Sequence, residues 1–205
     1  MELYNSEEQQ VEAIKEWLRE HGKAVLVGVV IGLGGLFGWN YYQHTVTTAQ
    51  EKASDDYVAV MSQVANKESA EAATDIQAYI AAHSKSEYAT LAALQLAKIQ
   101  VEDNKLDDAV AQLKTAQQST QDAALKSLLS YRIARIEAEL EHYDAASSEL
   151  ATITDKSWAG RVAELRGDIA LRQGNKEAAY AAYTEAQQAG DANQSLKMKL
   201  DDLAK

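Results

Sequence analysis

The chain has no cysteine and no proline among its 205 residues, and only one phenylalanine. Without cysteine, a disulfide framework, a thiolate zinc site and a cysteine nucleophile are all excluded. The compartment stays open, because a domain with enough core needs no covalent staples. No window shows the sustained period-two alternation of strands. Cations are also scarce, with 20 Lys and Arg against 31 Asp and Glu, a net charge of −11. That balance argues against a nucleic-acid binder, which needs clustered Lys and Arg for phosphate contacts. The plainest role of the acidity is solubility. What abounds instead is Ala, with Leu, Glu, Gln and Lys, side chains that lose little rotamer freedom in a helix. The expected fold class is all-α.

One stretch is apolar enough for a membrane, "KAVLVGVVIGLGGLFGWNYY" at residues 23–42. From Ala24 to Trp39 no residue is charged. With Asn40, Tyr41 and Tyr42 the run reaches the roughly 20 residues that cross a bilayer core. Lys23 marks one edge, and Trp39, Tyr41 and Tyr42 mark the other like an interfacial aromatic belt. A cleaved signal peptide fits poorly, because 22 residues including six Glu precede Lys23 and the nearest cleavage-like triplet is distant, at Thr47 to Ala49. A buried core helix fits poorly too, since no other segment is apolar enough to enclose it. Lys15, Arg19 and Lys23 precede the span, with Lys52 the nearest cation after it. The positive-inside rule therefore puts the N-terminus in the cytoplasm and the remainder on the far side. Gly28 with Gly32, and Gly34 with Gly38, form two GxxxG pairs that would let another membrane helix approach closely. The pattern does not say whether that helix is a second copy or another protein.

Residues 1–22 read as a short cytoplasmic amphipathic helix. Ser6 is the expected N-cap, Val11, Ile14, Trp17 and Leu18 share one face, and Gly22 with Lys23 marks the end. The apolar face would rest on the membrane surface or on a partner. Residues 43–205 read as a helical repeat domain. Three units share a frame. Ala97, Asn104, Ala109, Leu113 and Ala116 are matched by Ala134, Glu141, Ala146, Leu150 and Ile153, then by Gly167, Gly174, Ala179, Tyr183 and Ala186. The anchoring alanines 109, 146 and 179 are spaced by 37 and 33 residues. These frames look like tetratricopeptide repeats, helix–turn–helix units of about 34 residues. Small residues let the paired helices approach, and Gly174 or Asn104 can end the first helix in the left-handed conformation. Glu141 departs from that chemistry, so its turn is expected to be built differently. The usual proline closing each repeat is missing. The units are expected near 50–85, 88–118, 124–153 and 158–188. A capping helix at 193–203 would use Leu196, Met198, Leu200 and Leu203 as its apolar residues.

No catalytic constellation emerges. His21, His44, His83 and His142 form no HxxxH or HxxE pair, and neither GxSxG nor a Walker loop occurs. "GLGGLFG" has no preceding strand and lies inside the span. No metal or cofactor is expected. What remains is a surface. Stacked repeats expose the first-helix face as a groove, where the frame places Leu94, Lys98, Tyr131, Arg135, Glu164 and Asp168. They would form a mixed apolar and charged peptide site, or else Leu94 and Tyr131 belong to the inter-repeat core and the charges are simply solvated.

The order of acidic stub, Lys-flanked glycine-rich span, aromatic exit and alanine-rich repeats resembles the bacterial YfgM family. The resemblance is most specific in "MELYNSEEQQVEAIKEWLREHGKAVLVGVVIGLGGLFGWNYY". It implies a single-pass inner-membrane protein with its repeat domain in the periplasm, acting as an ancillary subunit of the SecYEG translocon. It further implies association with a PpiD-like periplasmic chaperone and with nascent secreted chains, without catalysis. From the residues alone, a scaffold for envelope assembly and a regulator acting through its cytoplasmic stub remain alternatives.

Overall fold

The structure, a computed structural model, describes residues 7–190 and 193–204. Every element among them is helical: α1 Glu7–Val64, α2 Ser69–Ala82, α3 Glu87–Glu102, α4 Leu106–Ser119, α5 Ala123–Glu139, α6 Tyr143–Ala151, α7 Ala159–Arg172, α8 Lys176–Gln188 and α9 Gln194–Leu203, with a 3₁₀ turn at Lys156–Trp158. The chain divides into two units, Met1–Lys52 and Ala53–Lys205.

Among its described residues, the first unit is one run of helix, and none of those residues is buried. α1 contains the stretch long and apolar enough to cross a membrane, and none of that stretch is buried. Phe37 is 72% exposed. The N-cap expected at Ser6 lies outside the described residues. The helix end expected at Gly22 is not there, since α1 continues through it. A glycine ends a helix by turning left-handed, and Gly22 keeps a negative φ. With no proline nearby and helix-forming neighbours on both sides, nothing interrupts the ladder.

The second unit is a stack of helical pairs. The end of α1 and α2 pack on α3 through Ile76, Tyr79, Ala92 and Leu96, flanked by Tyr57, Val60 and Met61. Buried Tyr79 donates to the Ala53 carbonyl at 2.6 Å. Burial, helped by the nearby Asp56 charge, lifts its hydroxyl to about 12. A second cluster joins α3, α4 and α5 through Ala97, Ala109, Leu113, Leu129 and Ile133. A third joins α5, α6 and α7 through Ala134, Ala146, Leu150, Leu165 and Ile169. A fourth joins α7, α8 and α9 through Ala163, Ala179, Tyr183 and Leu196. Each core thus bridges a pair to its next neighbour, the one-dimensional logic of a solenoid.

The hairpins α3–α4, α5–α6 and α7–α8 close in the same way. Asn104, Glu141 and Gly174 all adopt the left-handed conformation, with φ of 60°, 64° and 79°. In each, the next residue's N–H reaches back across the turn: Lys105 to the Gln100 carbonyl at 2.7 Å, His142 to Glu137 at 2.8 Å and Asn175 to Ala170 at 2.9 Å. The left-handed residue itself bonds three positions back, at 3.0 Å for Asn104 and Gly174 and 3.3 Å for Glu141. These paired bonds are a Schellman motif. The expectation that Glu141 builds a different turn is therefore corrected. The bonds hold a non-glycine residue left-handed against its intrinsic preference.

The second hairpin differs elsewhere. α6 stops at Ala151, so Ile153 lies beyond it, half-buried, on a loop that leads into the 3₁₀ turn. Met198 also departs from its expected role, being 60% exposed while Leu196, Leu200 and Leu203 face the core. Positions 196, 200 and 203 recur at helical spacing, and 198 falls on the opposite side.

Two substitutions test this account by denaturation of the full chain in detergent. Glu141→Gly should stabilise the protein by roughly 0.5–1 kcal/mol, by relieving the left-handed strain, and Asn104→Gly by less. Gly167→Ala should destabilise it by about 1–3 kcal/mol despite the better helix propensity of alanine. An added Cβ there would sit 2.3 Å from the ring of Tyr183, which is fully buried and cannot swing aside.

Candidate functional site

The three left-handed turns set the phase of three long helices. Ten and six residues before each turn stand Leu94 and Lys98 on α3, Tyr131 and Arg135 on α5, and Glu164 and Asp168 on α7. The structure distributes these six residues between two adjoining depressions. The larger, of about 630 Å³, is lined by Leu94, Lys98, Arg135 and Asp168 together with Val101, Leu128, Arg132, Ile136 and Arg172. The smaller, of about 390 Å³, is lined by Tyr131, Arg135 and Glu164 with Leu128, Arg132, Trp158 and Arg161. Leu128, Arg132 and Arg135 of α5 border both.

Leu94 and Tyr131 have a double role. Leu94 is half-buried against the α3–α4–α5 core. Tyr131 packs on Trp158 with ring centroids 5.3 Å apart, beside the α5–α6–α7 core. Burial pushes the Tyr131 hydroxyl above its ordinary value. Arg135 and Arg161 oppose that push, while Glu164 and Asp168 add to it.

The acidic groups of the groove are already occupied. Lys199, from α9, meets Asp168 at 2.6 Å and Glu164 at 2.8 Å. Its ammonium also stands 5.4 Å from the centre of the Tyr183 ring. The Tyr183 hydroxyl donates to Asp168 at 2.7 Å. Burial would lower the Lys199 pKa, but the two carboxylates outweigh it and hold the ammonium above its ordinary value. Lys98 faces Glu102 at 3.7 Å, and Arg172 pairs with Glu139 while donating to the Ala138 carbonyl at 3.1 Å. Arg161 lies 5.2 Å over the Trp158 ring. Among the described residues, no carboxylate pairs with Arg132 or Arg135. Arg132 and Leu128 were not among the residues expected here. Their signal was the spacing of 128, 132 and 135, which puts them on one face of α5.

The four span glycines lie on α1, with nothing within 4 Å of where a Cβ would sit. The structure does not gather them into one patch. Six residues separate the pairs, so Gly28–Gly32 and Gly34–Gly38 face directions about 120° apart around the helix.

Fold and groove together define a helical-repeat protein that carries one long, apolar N-terminal helix. The tetratricopeptide repeat-like domain model matches residues 15–205. A protein of Escherichia coli K12 named ancillary SecYEG translocon subunit is 37% identical over the full length of both chains. Proteins of the same name from Haemophilus influenzae and Aggregatibacter actinomycetemcomitans are 35% and 34% identical, over 96% of this chain and 97% of theirs. The chain belongs to the family of ancillary SecYEG translocon subunits, within the tetratricopeptide repeat-like class.

Lys199 ties α9 to the groove wall, and that tie is testable. Lys199→Met should cost about 1–3 kcal/mol in denaturation at neutral pH, because two partly buried carboxylates lose their partner. The folded-state pKa of Lys199 lies above the unfolded value of 10.5. Its contribution is therefore complete below that value and is lost as pH rises through the folded pKa. The gap between wild type and variant should narrow at strongly alkaline pH and stay constant between pH 6 and 9.

Proposed function

We propose that this chain is a non-catalytic, single-pass inner-membrane adaptor that acts at the SecYEG translocon. The span, residues 23–42, anchors it, with residues 1–22 in the cytoplasm and the repeat domain in the periplasm. One or both glycine pairs of the span pack on another membrane helix. The groove on the first-helix face of the repeats receives a polypeptide, either a PpiD-like chaperone or a nascent secreted chain. The observation that carries this reading is the full-length match to proteins named ancillary SecYEG translocon subunit. The groove supports it, with apolar Leu94, Leu128 and Ile136 beside charged Lys98 and Arg135. The distribution of Lys15, Arg19 and Lys23 against Lys52 supports the orientation.

The anchor does thermodynamic work without touching the client. Tethering makes the second encounter intramolecular and raises the effective concentration of the groove at the translocation exit. A modest groove affinity then suffices, and a client can be released as readily as it is captured.

Photo-crosslinking in intact cells tests this reading, with the probe at Gly32 and then at Lys98. Adducts to translocon subunits from Gly32, and to a chaperone or secreted chain from Lys98, are the expected result. Adducts from both positions to cell-wall or outer-membrane assembly proteins alone would overturn it in favour of an envelope scaffold.

A further inference from the structure

We infer that the α5 face of the groove selects a polypeptide segment in which side-chain carboxylates sit beside aliphatic residues. The inference rests on the groove reading above and adds to it the chemistry of the occupant.

The chain carries a net charge of −11. Such a protein has carboxylates to spare for every arginine. Yet Arg132 and Arg135 pair with none among the described residues. The acids that could have answered them are taken: Asp168 and Glu164 by Lys199, Glu139 by Arg172 and Glu102 by Lys98. Two guanidiniums unpaired among the described residues, three residues apart on one helix, thus stand on the border that the two depressions share.

The surroundings complete the recognition. Leu128 precedes Arg132 by one turn on the same face and borders both depressions. Leu94 and Ile136 are half-buried along the larger one, and Val101 is exposed there. A guanidinium beside apolar surface binds a carboxylate more strongly than one in open water, because less water competes. Because both arginines border both depressions, an occupant filling the two would pass over them rather than end at them. That favours side-chain carboxylates over a terminal one. Phosphate-rich ligands are disfavoured by the surrounding negative charge.

The test uses the full chain in detergent micelles and fluorescence anisotropy with labelled, amide-capped peptides. One peptide alternates leucine with glutamate, and its counterpart carries glutamine at every glutamate. The glutamate peptide should bind about tenfold more tightly, a difference that one charge-assisted contact in a partly dry groove supplies. The ratio should shrink with added salt. In the double variant Arg132→Gln, Arg135→Gln it should fall to about one, with an unchanged melting curve showing that the fold is intact. Equal binding of the two peptides by wild type would overturn the charge inference and leave the groove reading standing. Failure of both peptides to bind would overturn the two together. A glutamate preference that survives the double variant would place the selectivity elsewhere and overturn this assignment. So would a leucine–glutamine peptide with a free terminal carboxylate that binds as well as the glutamate peptide.

Discussion

The repeat domain depends on a single backbone constraint, the left-handed residue that reverses each hairpin. Asn104, Glu141 and Gly174 each let two N–H groups reach back to the carbonyls of the helix just ended. Those carbonyls would otherwise be orphaned at the helix end. Reversal at that point sets which faces of the paired helices meet. Ala97 can then pack with Ala109, and Ala134 with Ala146, while Gly167 leaves room for the Tyr183 ring. Because the turn sets the phase of the helix before it, it also fixes which residues ten and six positions upstream face the groove. A slip of one residue would rotate that helix by about 100° and bury the charges.

Polar links between neighbouring pairs keep the stack in register. Glu87 of α3 accepts from the Thr120 hydroxyl and from the Gln121 amide at 3.2 Å. Gln117 of α4 donates to Ser130 of α5 at 2.7 Å and to Glu149 of α6 at 3.0 Å, and Ser130 also meets Thr152 at 2.9 Å. Glu137, only 4% exposed, holds Lys114 at 2.7 Å and His142 at 2.9 Å. Burial alone would raise the Glu137 pKa, but the hydrogen bonds to Lys114 and His142 pull it below the ordinary carboxylate value. Its ionised form therefore favours the fold above pH 4.5 and loses that effect as pH falls through the lowered value. Such contacts add direction to cores made largely of alanine, whose small side chains pack closely but discriminate little among alternative alignments.

Much of this was legible in the residues because helical repeats write their geometry as spacing. Alanines at 109, 146 and 179 marked the second helices, and all three are fully buried. What spacing could not give was the behaviour of single residues whose type points one way and whose bonds point another. Glu141 has no intrinsic taste for the left-handed region, and only the hydrogen bonds around it show that it goes there. Gly22 looked like a stop, but a glycine stops a helix only when the chain has reason to leave it. Trp158 was invisible as a groove residue because its position depends on a 3₁₀ turn that no periodicity announces. Arg132 was missed for another reason. The frame marks residues that repeat from unit to unit, and a cationic side chain confined to α5 does not repeat.

An acidic protein can still carry a cationic face on one helix. A solenoid gives every repeat the same backbone, so chemical individuality must come from the side chains of one repeat and from the ends of the stack. Here the end does part of the work. α9 closes the apolar edge with Leu196, Leu200 and Leu203 and at the same time sends Lys199 to Asp168 and Glu164. Were those two carboxylates free, they would be natural competitors for the arginines on the adjacent helix. By satisfying them, the cap leaves Arg132 and Arg135 without those competing carboxylates. Closing the fold and setting the charge of the groove are thus coupled through one lysine. A change in the last helix that removes Lys199 would alter the charge of the groove without touching the arginines of α5.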